Sequence, residues 1–462
     1  MLLPSASENA DFIPELAHAL FYRDSCCRVI FLSGAQPVFY HSSNGSGSLA
    51  DSSITFQPDS GFTFFPVRSL IVGKQITLSV VDAPEGLAGL REEWNRILDE
   101  SRARSICLRW EWLHTWWEIF HNSGIKPHVL LVRDGGRLVG LAPFYLQVQK
   151  KLGLLRIRTL RFLGTGEPEW EEVASEYQDI VALDGYEQDV ATAVWHHLRD
   201  SKSWDQLVFN DVLDESLLLT TLRRILLREK YSVVVERVGI RYSVKIPRSW
   251  QEYISILDAG AAKRLPYKRR KFERAGQVNF RRIISVGELD QAFDELIRLH
   301  AKRWAARGRE GVFTSSRFTD FHRRLARILL PQGMLNLCFL SLDNVNIAAL
   351  YNLRYAGTEY FYQGGADVEL ASKHSPGVIA HVYALEAAIG EKLDCYDFMK
   401  GGTDSYKTEF GCQESPMQDM RVFSNNLRGR ILAIEAWTRR RLRSYRKRHA
   451  RVIETETGQQ AE

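Results

Sequence analysis

At 462 residues the chain is long enough for two or three domains, and its 45% hydrophobic and 25% charged residues are those of a globular protein, not a disordered or fibrous one. A net charge of +5 does not argue for nucleic acid, and the basic residues fall in two separate segments with no helix-turn-helix or zinc module, which excludes DNA binding as the reading. Six scattered cysteines, only Cys26 and Cys27 adjacent, show no metal-ligand spacing; with no signal-peptide pattern and no apolar run of membrane-spanning length, they read as free thiols in a reducing cytoplasm.

Residues 1–70 stand apart. A short helical patch at Ile13 to Tyr22 precedes a stretch rich in Ser, Gly and Asp at 41–61, too polar to bury a core, so this segment is expected to be a poorly ordered extension. The order from residue 74 is then a strand (KQITLSVV), a helix at Glu85 to Ser101 and a dense aromatic helix, WEWLHTWWEIF, at 110–120 whose tryptophans read as core. A meander follows, with strands at 128–133, 137–149 and 159–163 and a turn at Asp134-Gly135-Gly136. Next come strand 177–183, helix 186–200, strand 204–210, helix 214–229 and strand 231–238.

A linker strand at 241–247 leads to a helix, Trp250 to Ala259, and on to the basic run KRLPYKRRKFER at 263–274, within which Pro266 is expected to break the helix. Two amphipathic helices, from Glu288 to about Ala306 and from Ser316 to Leu330, precede a second meander at 335–363. Helices, meander, helix, strand thus occur twice. This predicts an α/β (α+β) chain of two similar units, 71–240 and 241–426, each a mixed, mostly antiparallel sheet flanked by helices. A basic helix with tail, 427–462, follows, with Ile431, Leu432, Ala436 and Trp437 placed to dock it.

The second unit carries the more informative junction, TEYFYQGGADVELASKHSPGVIAHVYALEAAIGEKLDCYDFMKGGTDSYKTEFG at 358–411. Gly364 and Gly365 end a strand. Ser375 and Pro376 open a helix whose apolar positions Ile379, Val382, Leu385 and Ile389 recur at helical spacing, and Gly390 closes it. A helix start fed by a strand presents free N–H groups to an anion, and Gly377 lets a phosphate approach the main chain. The same string also reads as an ordinary helix cap.

These residues resemble the GNAT-type acyltransferases of the CelD/BcsL group, also described as BioF2-like acetyltransferases. The likeness lies in RLHAKRWAARGREGVF (298–313), NIAALYNLRYAGTEYFYQGGAD (346–367) and the 374–411 string, with weaker likeness at 120–163. The resemblance implies tandem GNAT-like domains, an architecture shared with Fem-type aminoacyl transferases. It implies an acyltransferase with acyl-CoA, acetyl-CoA first, as co-substrate, no metal, and a sugar or amino-sugar acceptor in bacterial exopolysaccharide or cellulose synthesis. The glycine-rich pyrophosphate loop usual in GNAT enzymes is replaced here by ELASKHSPG.

On that resemblance the catalytic candidates are Asp397, Tyr406, Lys407 and His374. Asp397 serves as base or amine-orienting group, Tyr406 as the acid for the leaving thiolate, Lys407 as a phosphate or carboxylate clamp and His374 as a base or phosphate contact. Gln363, Lys373, Ser375 and Gly377 would hold the cofactor; Arg269, Arg303, Trp304 and Asp367 would meet the substrate. Each keeps an ordinary structural alternative. Two other functions stay open, a Fem-like aminoacyl transferase using charged tRNA and a non-catalytic scaffold that meets a synthase or an anionic membrane face through the basic helix.

Overall fold

The computed structural model describes residues 27–30, 38–41, 74–151, 155–369, 374–403 and 405–442. It divides into two compact units, Met1–Ile71 and Val72–Glu462. In the first, β1 (Cys27–Ile30) and β2 (Val38–His41) form an antiparallel pair, which the sequence did not suggest. The helix expected at 13–22 lies outside the described residues.

The second unit is built on one continuous sheet. Its first half runs β3 (Ile76–Val81), α1 (Pro84–Ala88), α2 (Arg91–Asp99), α3 (Trp110–Phe120), β4 (Ile125–Asp134), β5 (Arg137–Lys151), β6 (Leu155–Phe162), the short β7 (Val181–Ala182), α4 (Glu187–Ser201), β8 (Gln206–Leu213), α5 (Arg223–Arg228) and β9 (Ser232–Lys245). The second half runs α6 (Trp250–Ile256), α7 (Ala259–Glu273), β10 (Val278–Arg282), α8 (Leu289–Ala305), α9 (Ser316–Leu329), β11 (Leu335–Leu342), β12 (Val345–Tyr355), β13 (Thr358–Ala366), α10 (Pro376–Gly390), β14 (Cys395–Gly401) and β15 (Gln413–Phe423).

The strand order is β10-β11-β12-β13-β14-β9-β15-β8-β6-β5-β4-β3. It places the two halves about a pseudo-twofold between β9 and β15, and each half lends its last strand to the other. β9 lies beside β14 of the second half, and β15 lies beside β8 of the first. β9 is one unbroken strand through residue 240, where the sequence suggested a break and a separate linker strand. All neighbours in this order are antiparallel except β13 with β14 and β6 with β8, which are parallel and paired over three residues only. Beyond those residues the two strands of each pair separate.

The aromatic helix α3 is core, with Trp112, Trp116 and Trp117 buried, and it packs on α9. Burying each such side chain contributes about 1.5–3 kcal/mol or more. Several expected boundaries shift for identifiable reasons. Pro266 does not end a helix. Asp258 accepts from the N–H groups of Gly260 and Ala261 and starts a new one, α7, which buries Ala261, Leu265 and Phe272 and carries Pro266 and the basic run along its length. Gly364 and Gly365 do not end β13; they pair with Leu350 and Ala349, and the strand continues to Ala366. Gly390 is the last helical residue of α10, and Lys392 takes the left-handed position after it. Helix 427–442 docks through Leu432, Ala433 and Ala436 on Ile157, Val234 and Phe423, whereas Ile431 and Trp437 face solvent. The tail after residue 442 lies outside the described residues.

The glycines of the 358–411 stretch serve different ends. A Cβ on Gly365 would overlap the backbone of Leu299 and His300, so α8 can lie this close to β13 only over glycine. A Cβ on Gly377 would meet only the Ala366 Cβ at 3.9 Å. Urea unfolding is expected to show Gly365→Ala destabilised by about 1–3 kcal/mol and Gly377→Ala within about 0.5 kcal/mol of the parent.

Candidate functional site

The site forms where β13 and β14 part. Thr358 pairs with Cys395 and Tyr360 with Asp397, and there the parallel ladder stops. Each strand carries a bulge at the opening. On β13 the extra residue is Tyr362; on β14, Phe398 and Met399 together oppose Tyr242 of β9, with Met399 at φ 60°. The next turn, Tyr406–Phe410, folds Lys407 back under this bulge. Its Nζ donates to the carbonyls of Phe398 (2.6 Å), Met399 (3.2 Å) and Lys400 (2.6 Å). All three ammonium protons are thereby used, so Lys407 is the buried anchor of the bulge and does not reach out to clamp a phosphate. Burial holds its pKa below the usual lysine range.

Asp397 is fully buried. Its Oδ2 accepts from Arg241 Nε at 2.8 Å; its Oδ1 accepts from the Met399 N–H at 2.7 Å and the Tyr177 hydroxyl at 3.1 Å. Arg241 also lies over the Tyr177 ring, 5.0 Å from its centroid. Asp397 is thus an ion-paired strut between the halves. As placed it is not a free base, the role the sequence suggested.

Tyr406 has a different setting. Its hydroxyl lies 3.3 Å from His381 Nε2, and His381 Nδ1 lies 2.9 Å from the Tyr396 hydroxyl. Asn352 Nδ2 donates to that hydroxyl (3.3 Å) and to Glu359 Oε1 (2.6 Å), which also takes Asn336 Nδ2 at 2.7 Å; Arg354 pairs with Glu359 Oε2 at 2.7 Å. Glu359, Asn352, Tyr396 and His381 are all buried.

This chain has one consistent direction. The paired carboxylate only accepts, which fixes the Asn352 amide with its NH2 toward Glu359 and Tyr396. Tyr396 then receives a hydrogen bond, and its single proton goes to His381 Nδ1. His381 therefore carries its own proton on Nε2 and donates it to the Tyr406 oxygen. The Tyr406 proton is left to point away from the chain. Burial keeps His381 neutral, its pKa well below the ordinary value, and Arg303 and Lys407 push the same way. Burial raises the Tyr406 pKa, and a hydrogen bond and the charge of Arg303 pull it back.

The remaining candidates surround this point. Arg303 also donates to the Gly364 carbonyl at 3.3 Å. Gln363 hydrogen-bonds His300, whose ring burial pushes down to about 4 and whose Nε2 takes the Trp304 Nε1–H at 2.8 Å. Trp304 is thus held by its own helix. Asp367 pairs with Lys302 at 2.9 Å. Ser375 sits at the start of α10 but in the left-handed region, φ 49°, and its side chain does not cap, contrary to expectation. His374 lies against Phe272 with its buried Nδ1 unpartnered among the described residues. Lys373 lies outside them. Arg269 is not at the site: it is tied to Glu273 (2.8 Å) and Glu386 (2.9 Å) and lies over Tyr383.

Sequence reasoning missed His381, Tyr396, Asn352 and Glu359, although a glutamate inside the aromatic run TEYFY was a readable signal. Arg241 and Tyr177 offered none, being far from Asp397 in the chain.

Residues 259–408 match the family model of the acetyltransferase (GNAT) domain. The second half is a GNAT-type acyltransferase domain. The solved structure of FemX is similar to this chain at 12% identity, covering 72% of this chain and 96% of its own, with a TM-score of 0.52. A tandem GNAT protein from the clavulanic acid biosynthesis pathway matches at 10% identity over 76% of this chain and all of its own, TM-score 0.41. The C-terminal domain of a putative lysylphosphatidylglycerol synthetase from Agrobacterium fabrum matches at 11% identity over 76% and 95%, TM-score 0.45. No curated protein matches the chain. At this identity the likeness to FemX shows the fold alone, and the topology repeated in the two halves makes that fold a tandem GNAT-like one. Among the described residues no group of His, Cys, Asp and Glu is arranged to hold a metal ion.

The hydrogen-bond direction can be measured. In protein labelled with 15N-histidine, the signal lost in His381→Gln is expected to report the Nε2–H tautomer across neutral pH, and Tyr396→Phe is expected to release Nδ1 and mix the two tautomers. A resting Nδ1–H tautomer would contradict the chain as drawn.

Proposed function

We propose that the second half binds an acyl-CoA at the open start of α10 and transfers its acyl group to an amine or hydroxyl of a sugar or amino-sugar. The observation that carries this reading is the Tyr406 hydroxyl, which lies 3.3 Å from His381 Nε2 and hydrogen-bonds Arg303 next to the β13–β14 separation. The acceptor nitrogen or oxygen attacks the thioester carbonyl, the new bond forms, and negative charge gathers on the carbonyl oxygen. Collapse of that intermediate breaks the carbon–sulfur bond, and the thiolate takes the Tyr406 proton. The tyrosinate left behind, stabilised by the His381 Nε2–H and Arg303, takes the proton that the acceptor nitrogen or oxygen gives up, which restores Tyr406. Among the described residues no side chain caps the first turn of α10 and Gly377 leaves room, so its N–H groups are offered to a phosphate of the carrier.

The finer assignment, to the CelD/BcsL group and to exopolysaccharide or cellulose synthesis, rests on the sequence resemblance, and a cytoplasmic setting rests on the pattern of free cysteines. No described helix is long and apolar enough to cross a membrane, and contact with an anionic membrane face or a synthase falls to the exposed basic face of helix 427–442. A second reading is favoured by the likeness to FemX: a Fem-like transferase taking its acyl group from charged tRNA, with the solvent-facing Lys263, Arg264, Arg270 and Lys271 of α7 meeting the RNA. Binding that weakens steeply with salt belongs to the tRNA reading.

Calorimetry and thermal shift with acetyl-CoA, longer acyl-CoAs and CoA test the proposal. Acyl-CoA is expected to raise the thermal midpoint of the parent and not that of Gly377→Trp. Once an acceptor is in hand, Tyr406→Phe is expected to lower kcat about 100-fold with little change in KM. An unmoved midpoint with every CoA compound would shift the reading to tRNA.

A further inference from the structure

We infer that the cavity on the far side of the strand opening is the acceptor site, and that it takes a sugar-sized molecule whose oxyanion, phosphate or carboxylate, is held by Arg104 and Arg224. The acceptor role rests on the acyltransferase reading above; the ligand chemistry does not.

The cavity has a volume of about 550 Å³, within the span of small-molecule sites. Its walls come from the α2–α3 connector, the segment before β7, the segment after β8, and Arg241 and Tyr360. Tyr360 is the register partner of Asp397, the last paired position before β13 and β14 part. Its side chain lies on the opposite sheet face from Phe361 and the His381 cluster, as alternation along a strand requires. The cavity and the Tyr406 chain therefore meet the same point of the sheet from two sides.

The walls are not those of a packing defect. An incidental core void is apolar and dry; this one is lined by Ser105, Gln178, Asp179, Ser216 and Thr221, all buried. Gln178 is 0% exposed; its Nε2 donates to the Cys107 carbonyl at 3.4 Å, and its Oε1 has no partner among the described residues. A fully buried amide oxygen left unpaired is costly, and a ligand hydroxyl would satisfy it.

Charge bookkeeping picks out the anion. Arg241 is spent on Asp397, and Arg102 on Asp184 at 2.8 Å. Asp179 accepts three main-chain N–H groups, from Ile180, Leu217 and Leu218, and Glu187 accepts that of Gly185. Arg224 bonds only the Thr220 carbonyl and the Thr221 hydroxyl, and neither it nor Arg104 has a carboxylate within ion-pair distance among the described residues. Two exposed guanidinium groups of the cavity wall thus have no ion-pair partner within 4 Å among the described residues, and Glu215 lines the same cavity as an acceptor for hydroxyls. Arginine suits either oxyanion.

Isothermal titration of the full chain with glucose 6-phosphate, glucuronate, glucose and inorganic phosphate decides the matter. One or both anionic sugars are expected to bind at least about tenfold more tightly than glucose, and the Arg104→Gln, Arg224→Gln double variant to lose at least about tenfold. Binding of glucose 6-phosphate alone names phosphate as the oxyanion; binding of both names any oxyanion. Gly377→Trp is expected to leave this binding unchanged. Binding lost in Gly377→Trp but kept in the arginine variant would place the anion at α10 and overturn the inference, as would saturation by neither sugar. Anionic-sugar binding that depends on the arginines, in a protein that ignores every acyl-CoA, would keep the site and remove only the donor reading.

Discussion

The buried ion pair between Arg241 and Asp397 is the contact on which the rest of this architecture depends. Arg241 arrives on the strand that the first half lends, and Asp397 stands where the second half's parallel strands part. The same carboxylate holds Tyr177 of the first half and the N–H of the bulged Met399. Taking such a pair out of water costs several kcal/mol per ion before any attraction is counted, so it is not a source of stability by itself. Removing one partner is another matter, because the orphaned charge stays buried at a cost of about 3–5 kcal/mol. The pair therefore acts as a lock. It specifies which strand lies beside β14, and so where the cleft opens.

The two halves share more than topology. β8 bulges as β14 does, with Asn210 and Asp211 opposite Asp419 and Asp211 at φ 53°. What differs is the helix that follows the meander. In the first half Gly140 of β5 is pressed against Val190 of α4, so that helix lies hard on its sheet. In the second half Gly377 at the start of α10 has space in front of it. The first half's own contribution is a loop that crosses over to the second. Val173 takes the Tyr362 hydroxyl, Glu176 takes the Lys400 N–H, and Tyr177 reaches Asp397. One half thus keeps an approachable helix start, while the other closes the sheet face behind it and walls the cavity there.

The fold was largely legible because its signals are periodic and local. The repeated order of helices and meander could be counted from apolar spacing and turn residues such as Asp134-Gly135-Gly136. The exchange of last strands could not, since a strand's partner is set by register over the whole chain. Pro266 misled because α7 runs through it, although it is the eighth residue of the helix and removes a main-chain hydrogen bond there: Asp258 caps the start, and Leu265 and Phe272 bury the face. The site was legible only by neighbourhood. Tyr406 lies at the cleft, but Lys407, next to it, turns inward to three carbonyls; adjacency in a glycine-rich loop says nothing of direction. Basic residues misled in the same way. Arg269 belongs to a dense run, yet its charge is spent on Glu273 and Glu386, whereas Arg104 and Arg224, outside the two basic segments, have no carboxylate partner among the described residues.

The polar chain behind Tyr406 shows why such a site resists reading from sequence. Each member is unremarkable where it stands: a histidine inside an apolar helix, a tyrosine and a glutamate in aromatic strands, an asparagine in a meander. Buried singly, each would cost about 1–3 kcal/mol of unmet hydrogen bonding. Buried together they satisfy one another except at Asn352 Oδ1, which has no partner among the described residues, and Glu359 and Arg354 fix the far end. A carboxylate that only accepts and an amide that must donate to it leave the tyrosine, the histidine and the last hydroxyl one proton arrangement each. The direction of the chain is thus decided at Glu359, four hydrogen bonds from Tyr406, by a group that never meets the cleft.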